Sequence, residues 1–578
     1  MTNTLLTLLS AELIKQHYAS GHWRDDTIYS LVRDHARRAG EKFALRDRVR
    51  RIGYAALVEA ADALAADLAA RGVKPGERVA VWLPSRIEGV VALLACSRNG
   101  YVCCPSLHRD HTTAEIVELL RRTRSAAFVG QVGYGADAEK RDIFSELGGI
   151  ETLKHVYRLE APNNETPSWP GLSPGSHCER SEAISGSGRE IASSPFGPLA
   201  MTPQLKSDPN QIVYLAFTSG TTGTPKGVMH SDNTLLANAR AIAADWSIDA
   251  DSVVYSLSPL SHNLGFGAMV MALAAGGELV INDLPRGASL IDRVIETGTS
   301  FLVGVPTHAI DLLRELRERE LSGIGRLKGF RISGAAAPRE VVAQLIANGV
   351  MPQSGYGMTE TCSHQYTLPT DDPTLIIETC GKACPGYELK IWRVDDPDVE
   401  AATGEIGQIG GRGASLMLGY FDDQAATETA FNTHGWFMTG DLGWMDERGY
   451  LRITGRKKDV IIRGGHNIFP ARIEDLAMRH PAVERVAAVP VADARLGEKV
   501  CLAVMWRAGA RVQASEMLAH LDTMGLSKYD MPEFFLDLDH IPLTPSGKIR
   551  KRDIVEAIAQ GSAVPEPVRA PMSKATTR

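Results

Sequence analysis

The chain has 578 residues, 44% of them apolar, so it is too long for one ordinary hydrophobic core and rich enough to fill two or more. Lysine and arginine total 62 against 69 aspartate and glutamate, a net charge of -7, which argues against nucleic acid or an anionic membrane surface and leaves small molecules as partners. No run of about 18 or more apolar residues occurs, so no bilayer-spanning helix is expected.

The N-terminal stretch MTNTLLTLLSAELIKQHYASG has an apolar run but no basic segment before it and no small-residue cleavage site, so a cytoplasmic protein is expected. Cysteines at 96, 103, 104, 178, 362, 380, 384 and 501 make no paired metal-ligand spacing. Free thiols in a reducing compartment are the plain reading. Leu57, Ala61, Leu64 and Leu68 recur at helical spacing, Gly72 and Pro75-Gly76 stop the helix, and Val79 to Leu83 follows as a short apolar strand. A second round runs from Ile87 through Cys96 into Gly100 and Tyr101-Val-Cys-Cys104. Ser300 to Gly304 and Phe330 to Ser333 read as later strands, each after a helical pattern. Such alternation predicts a layered α/β architecture with ligands at the carboxyl ends of strands.

Residues 160–208 are rich in Pro, Ser and Gly, have no sustained period, and read as a disordered, solvent-exposed insertion in which His177 and Cys178 are bystanders. From Gly449 to Gly465 the pattern is strand, charged turn, strand. Beyond it, to about residue 556, Val486 to Val489, Val500 to Val504 and a helix around Ser515 to Leu521 suffice for a second, smaller α+β domain. The end of the chain, 557–578, is expected to be a disordered tail.

One stretch has the composition of a phosphate loop: FTSGTTGTPKG at 217–227. A Walker A loop requires a lysine followed by Ser or Thr and then a helix. Here Lys226 follows proline, precedes Gly227 and leads into an extended Val228-Met229, while the strand Gln211 to Phe217 feeds the loop. Strand, hydroxyl-rich loop, strand could fold over a triphosphate, with Thr218, Ser219, Thr221 and Thr222 donating hydrogen bonds and Lys226 adding charge. An ordinary Ser/Thr/Gly surface turn has the same composition, and the loop alone does not separate the two.

Further segments do. FTSGTTGTPKG is followed in order by PLSHNLGF at 259–266, SGAAAP at 333–338, GYGMTE at 355–360, GEIGQIGGRGASLMLGYF at 404–421, GWFMTGDLG at 435–443, GRKKD at 455–459 and PLTPSGKIRK at 542–551. In this series the sequence resembles the acyl-adenylating superfamily of acyl-CoA synthetases, peptide-synthetase adenylation domains and beetle luciferases. The resemblance spans nearly the whole chain apart from the insertion and tail. It implies a large N-terminal layered α/β domain over 1–455, a hinge at 456–458, and a small mobile C-terminal α+β lid over 459–556.

The implied reaction joins a carboxylate to the α-phosphate of ATP, expels pyrophosphate, and passes the acyl group from AMP to the thiol of coenzyme A. The resemblance implies that the loop Thr218, Ser219, Gly220, Thr221, Thr222, Gly223 and Lys226 holds phosphates, Glu360 binds Mg2+, and Thr359 bonds the α-phosphate. Tyr356 would stack on adenine, against a wall of Gly334, Ala335, Ala336 and Gly357. Asp441 would accept from the ribose hydroxyls with Arg456 near the same sugar. Lys548 would lie over the reacting carboxylate, Lys458 would be the hinge, and Gly465 would line the pantetheine channel. His262 is counted with Lys548, Glu360 and Thr359 among the catalytic residues.

The acyl pocket implied by motif position comprises His262, Asn263, Val305, Gly334, Gly357 and Met358. Its SHN string resembles 2,3-dihydroxybenzoate-AMP ligases and cyclohexanecarboxylate-CoA ligases. Asn263 can bond a ring hydroxyl or carboxylate oxygen, while Leu264, Val305 and Met358 favour an apolar body, so an alicyclic, aromatic or medium-chain acid is expected. Two acceptors stay open, free CoA or the phosphopantetheine of a carrier protein loaded by a stand-alone adenylating enzyme. A nucleotide-binding regulator without turnover is disfavoured by the full set of Lys548, Glu360 and Asp441. A homodimer is the candidate assembly.

Overall fold

The computed structural model describes residues 6–162, 207–218, 225–282, 284–285, 287–321, 323–335, 337–543 and 549–568. The first helix-turn-strand round forms as its spacing requires. Leu57, Ala61, Leu64 and Leu68 are wholly buried along helix Tyr54–Ala70, and Gly72, at φ 80°, follows its C-cap in the left-handed conformation that glycine adopts freely. Strand Arg78–Trp82 is buried throughout and pairs in parallel with Val102–Cys104, reached through helix Ile87–Asn99. These strands form a six-stranded sheet in the order His155–Leu159, Ser125–Gln131, Arg78–Trp82, Val102–Cys104, β1 (Ile212–Thr218) and β2 (Lys226–Ser231). All neighbours are parallel except β1 and β2, an antiparallel pair.

Helices α1 (Asp232–Asp245) and α2 (Asn263–Ala275) come next. Ser231 caps α1 by accepting from the Thr234 amide. α2 is apolar all round, as a helix enclosed on every side must be. Its Phe266 stacks on Tyr214 of β1 at 4.0 Å, while its other side meets Val253–Ser256 and Phe301–Gly304 of a second, nine-stranded sheet. One hydrophobic cluster therefore runs from Val81 and Tyr214 through Phe266 and Leu273 to Phe301 and Val303. In the second sheet, Val253–Ser256, Phe301–Gly304, β3 (Gly329–Ile332) and β4 (Met351–Met358) run parallel, and β5 (Cys362–Tyr366) turns back antiparallel to β4. A third, antiparallel sheet has four strands, Tyr387–Trp392, Gly407–Gly413, β6 (Phe437–Met445) and β7 (Leu451–Arg456).

The remaining chain makes its own sheet around the long pair Val483–Asp493 and Gly497–Trp506. Its core draws only on residues from Ile461 onward, among them Ile473, Val486, Val500, Leu521 and Phe535. The architecture is thus α/β, a large N-terminal part and a smaller C-terminal one.

The C-terminal boundary differs from the expected one. The tail does not begin at 557: helix Lys551–Ala559 runs past that point, and Glu566–Pro567 pairs antiparallel with Phe534–Asp537. Val568 also donates to the Glu533 carbonyl, so this stretch is held by main-chain bonds that its polar composition does not announce. Of the 160–208 insertion, residues 163–206 lie outside the described residues, as do 569–578. No described helix is long and apolar enough to cross a membrane.

Candidate active site

The carboxyl ends of β1, β3 and β4 and the β6–β7 pair bring the motif residues around two cavities. In the phosphate motif, β1 and β2 pair in register with Thr218 opposite Lys226 and Phe217 opposite Gly227. Ser219, Gly220, Thr221, Thr222 and Gly223 lie outside the described residues. Along β2, the segment 417–421 is bound through Leu418 to Met229 and Phe421 to Gly227, at 2.7 Å each. This brings Tyr420 beside Lys226, whose ammonium sits 4.7 Å from the Tyr420 ring centroid, a cation-π contact.

The Tyr420 hydroxyl donates to Glu360 at 2.9 Å, and the Glu360 carbonyl accepts from the Met417 amide at 2.7 Å. Burial pushes the Glu360 carboxyl up; its own amide, the Tyr420 hydroxyl, Lys226 and Arg456 pull the other way. A cavity of about 230 Å3 opens here, lined by Lys226, Met358, Glu360, Tyr420, Thr439 and Gly440 among others. Cation and carboxylate thus face one space, as an anionic ligand carrying a metal requires. Among the described residues no group of three or more His, Cys, Asp or Glu could hold a metal by itself. A single carboxylate fits Mg2+ that takes its other ligands from phosphate oxygens and water.

Next to Gly440, Asp441 is buried on β6 and lies opposite Arg456 of β7. Arg456 Nε is 3.0 Å from one carboxylate oxygen, and the Tyr356 hydroxyl donates to the other at 2.8 Å. Tyr356 is itself mostly buried, so its ring is fixed by this bond rather than free. Gly334 has φ 92° and, like Ala335, is exposed at the end of β3; Ala336 lies outside the described residues. Gly357 has a clear steric reason: a Cβ there would stand 2.0 Å from the Cys362 carbonyl oxygen. The carbonyl of Thr359 accepts from His230 Nε2 at 2.7 Å, which ties the loop between β4 and β5 to β2.

Met358 divides the site. It lines the larger cavity, and its carbonyl accepts from Asn263 Nδ2 at 3.2 Å. Asn263, the first residue of α2, lines a second, much smaller cavity of about 10 Å3 with Asn238, Phe266, Gly267, Cys362 and Ser363. His262, the N-cap of α2, stacks on His108 with centroids 4.1 Å apart and planes 11° from parallel. Val305 is the N-cap of helix Pro306–Glu318 and is not among the residues lining either cavity. Lys458 lies in a turn of 3-10 helix, Lys457–Asp459, directly after β7, where burial lowers its pKa. Gly465 and Gly464, both at positive φ, make the turn between Ile461–Arg463 and His466–Ile468. Lys548 lies outside the described residues, between Leu543 and Ile549, which pair across it.

A family model of the AMP-binding enzyme matches residues 32–421, and one of the AMP-binding enzyme C-terminal domain matches 472–548. The chain belongs to the AMP-binding enzyme family. It is 30% identical over 567 residues to a medium-chain fatty-acid–CoA ligase of Escherichia coli K12, covering 97% of this chain and 96% of the relative. It is also 30% identical over 559 residues to a salicylyl-CoA synthase / salicylate adenylyltransferase of a Streptomyces species, covering 95% and 97%. The crystal structure of ATP-bound MatB from Rhodopseudomonas palustris superposes with a TM-score of 0.75 at 26% identity, covering 92% of this chain and 99% of that one. This AMP-binding enzyme is therefore an ATP-dependent, AMP-forming acid–CoA ligase by family.

Motif reading passed over two members of the site. Tyr420 stands within a quoted motif, yet only the fold reveals that it holds Glu360. His108, 154 residues before His262, had no signal beyond an isolated histidine pair with His111.

Proposed function

We propose that the enzyme activates an alicyclic, aromatic or medium-chain carboxylic acid of the cyclohexanecarboxylate type as its acyl-adenylate and transfers the acyl group to CoA. The observation that carries this reading is the meeting of Lys226 and Glu360 at one cavity, with Asp441 beside it and Asn263 behind Met358. In the first step a carboxylate oxygen attacks the α-phosphorus of ATP, and the bond to the leaving pyrophosphate breaks. Both reactants are anions, so oriented donors and cations carry the catalysis. Lys226 and the loop 218–223 hold the β- and γ-phosphates as they leave. Thr359 bonds the α-phosphate, Asp441 and Arg456 hold the ribose, and Tyr356 with Gly334, Ala335 and Ala336 encloses the base. Glu360 would hold Mg2+, which when bound would supply neutralising positive charge for the departing group.

Lys548 donates to the acid's carboxylate and the α-phosphate during adenylation. Turning about Lys458 then withdraws Lys548 and brings Gly465 to the site, where the CoA sulfur attacks the acyl carbon and AMP leaves. Lys548→Ala should lower pyrophosphate release about 10²–10³-fold while ATP binding by calorimetry stays measurable. Near-normal release would overturn the assignment. A pyrophosphate-release screen over short, medium, alicyclic, aromatic and hydroxylated aromatic acids identifies the acid class. Running each with and without CoA decides the acceptor, since a carrier-loading enzyme would form adenylate and no CoA thioester.

A further inference from the structure

We infer that Arg331 and Gln353 form a recognition site for an oxygen acceptor, a carboxylate or a ketone, carried on the far part of the acid. The inference rests on the adenylating reading above and narrows its substrate class. β3 alternates strictly: Phe330 and Ile332 join the apolar cluster under helices Leu290–Thr297 and Pro306–Glu318, whereas Arg331 turns to the opposite face, toward the layer of α1 and α2. There it lies in register with Gln353 of β4, two residues before Gly355. Gly355 in turn is opposite Tyr366 of β5, and Cys362 and Cys384 pack in the same buried cluster as Tyr366.

Arg331 and Gln353 are 3% and 0% exposed. One guanidinium nitrogen, Nη1, donates to Gln353 Oε1. The other, Nη2, and the Gln353 amide nitrogen have no hydrogen-bond partner among the described residues. Two buried donors without acceptors in one spot are an exception that calls for an occupant. Burial lowers Arg331 only to about 10, so the guanidinium is a cation at neutral pH.

Among the described residues no carboxylate there balances it, and the ring nitrogens of the nearby His364 are also without a hydrogen-bond partner. Burial pushes the Cys362 and Cys384 thiols up to about 12 and His364 down to about 3, so all three are neutral. Asp245, which reaches this layer from α1, accepts from the Tyr366 hydroxyl at 2.8 Å instead. The Tyr366 ring offers the guanidinium a cation-π contact at 5.6 Å, a partial compensation only. A buried charge with free donors and no counter-charge is costly to fold around, which is reasonable where a ligand completes the set.

The position fits the acid side of the cleft. Cys362, from the same buried cluster as Tyr366, lines the small cavity with Asn263. Gly355 opens the stretch that leads to Met358, whose carbonyl holds Asn263. A Cβ on Gly355 would stand 3.1 Å from Nη2, so glycine leaves the guanidinium uncovered toward that stretch. An acid whose carboxylate meets ATP beyond Met358 would extend past Asn263 and Cys362 toward Arg331. That small cavity, which Arg331 and Gln353 do not themselves line, has room for about one water, so binding would have to open a path from it to them.

Pyrophosphate release by the full-length chain tests this with ω-oxo and α,ω-dicarboxylic acids of increasing length, each against its methyl-ended isostere. The wild type should prefer the oxygen-bearing member of at least one pair by about 100-fold in kcat/KM, because an isostere lacking the acceptor strands both donors. The dicarboxylic and ω-oxo arms separate a carboxylate from a ketone. Arg331→Met and Gln353→Leu should each cut that ratio by about tenfold or more through KM, with Arg331→Lys retaining part of it. Equal preference within every pair, or equal losses for both members in the variants, overturns the inference. If no acid in any class releases pyrophosphate, the adenylating reading fails, and calorimetric binding of the same pairs still tests Arg331. The wild-type preference needs no variant to fold.

Discussion

The two cavities on either side of Met358 are built from opposite kinds of sequence. The larger is lined mostly from short motif strings, Met358 and Glu360, Tyr420 within GYF, and Phe437 to Gly440, with Lys226 facing them and Ala426, Thr429 and Ala430 adding one wall. The smaller takes single residues from separate elements: Asn238 from α1, Asn263 and Gly267 from α2, Cys362 from β5. Phosphates are small, anionic and always alike, so donors from one strand end can serve them in a fixed geometry. An acid's body is apolar and variable, and its walls come from helix and strand faces whose spacing looks like any buried surface. The nucleotide side should therefore fail sharply when one group is changed, and the acid side should shift preference.

The largest effect is expected at Glu360. Glu360→Gln keeps the Tyr420 hydrogen bond but removes the charge, and should lower pyrophosphate release about 10²–10³-fold at saturating acid, measured across Mg2+ concentration. The same change should raise Tm at pH 8. Burial puts the folded-state pKa of Glu360 above its unfolded value, so its proton is held more tightly in the native protein. The free enzyme then gains stability as pH falls through that window and loses it as pH rises. Loss of activity with a lower Tm at pH 8 would instead make Glu360 a structural anchor for Tyr420 and break the contrast between the cavities.

Gly357 sharpens the contrast through stability. A methyl group there meets the Cys362 carbonyl at 2.0 Å, and backbone cannot yield as a side chain can. Gly357→Ala should cost about 1–3 kcal/mol, read as a lower denaturant midpoint with unchanged slope. Because Gly357 lies between Tyr356 and Met358, KM for ATP and for the acid should rise together. A rise in only one would assign the loop to that cavity alone.

How far the chain could be read follows the same division. The periods of Leu57 to Leu68 and Val79 to Trp82 are local, so the helix and strand they encode were legible, and with them the layered fold. The end of the chain was not, because Glu566–Pro567 is held by long-range main-chain bonds, its pairing with Phe534–Asp537 and the Val568 amide to Glu533, some thirty residues earlier. Lys226, Glu360 and Asp441 could be named from their strings, but not the bonds between strings: Tyr356 to Asp441 spans 85 positions and Tyr420 to Glu360 spans 60. Arg331 was the least legible. In the pattern FRIS an arginine between two apolar residues reads as the solvent side of a half-buried strand, and only a second layer of helices over that face makes it a buried cation.

His108 offers the smallest effect and the finest test of where the acid side begins. Its ring lies flat on His262, and the His111 ring is also stacked with it at 5.5 Å. Burial first, then the neighbouring His262 and His111, push it down to about 2, so it is a neutral spacer across the working pH range. Its Nδ1 lies 3.1 Å from the Ser261 hydroxyl, which fixes the ring's rotation. His262 therefore owes part of its orientation at the N-terminus of α2 to a stack worth about 0.5–1.5 kcal/mol. His108→Ala should raise KM for the acid about two- to tenfold and leave KM for ATP unchanged, whereas His108→Phe, which keeps a flat ring, should recover most of the loss. If KM for ATP moved instead, His262 would belong with Lys226 and Glu360, and the partition at Met358 would lie one residue layer deeper than the cavities suggest.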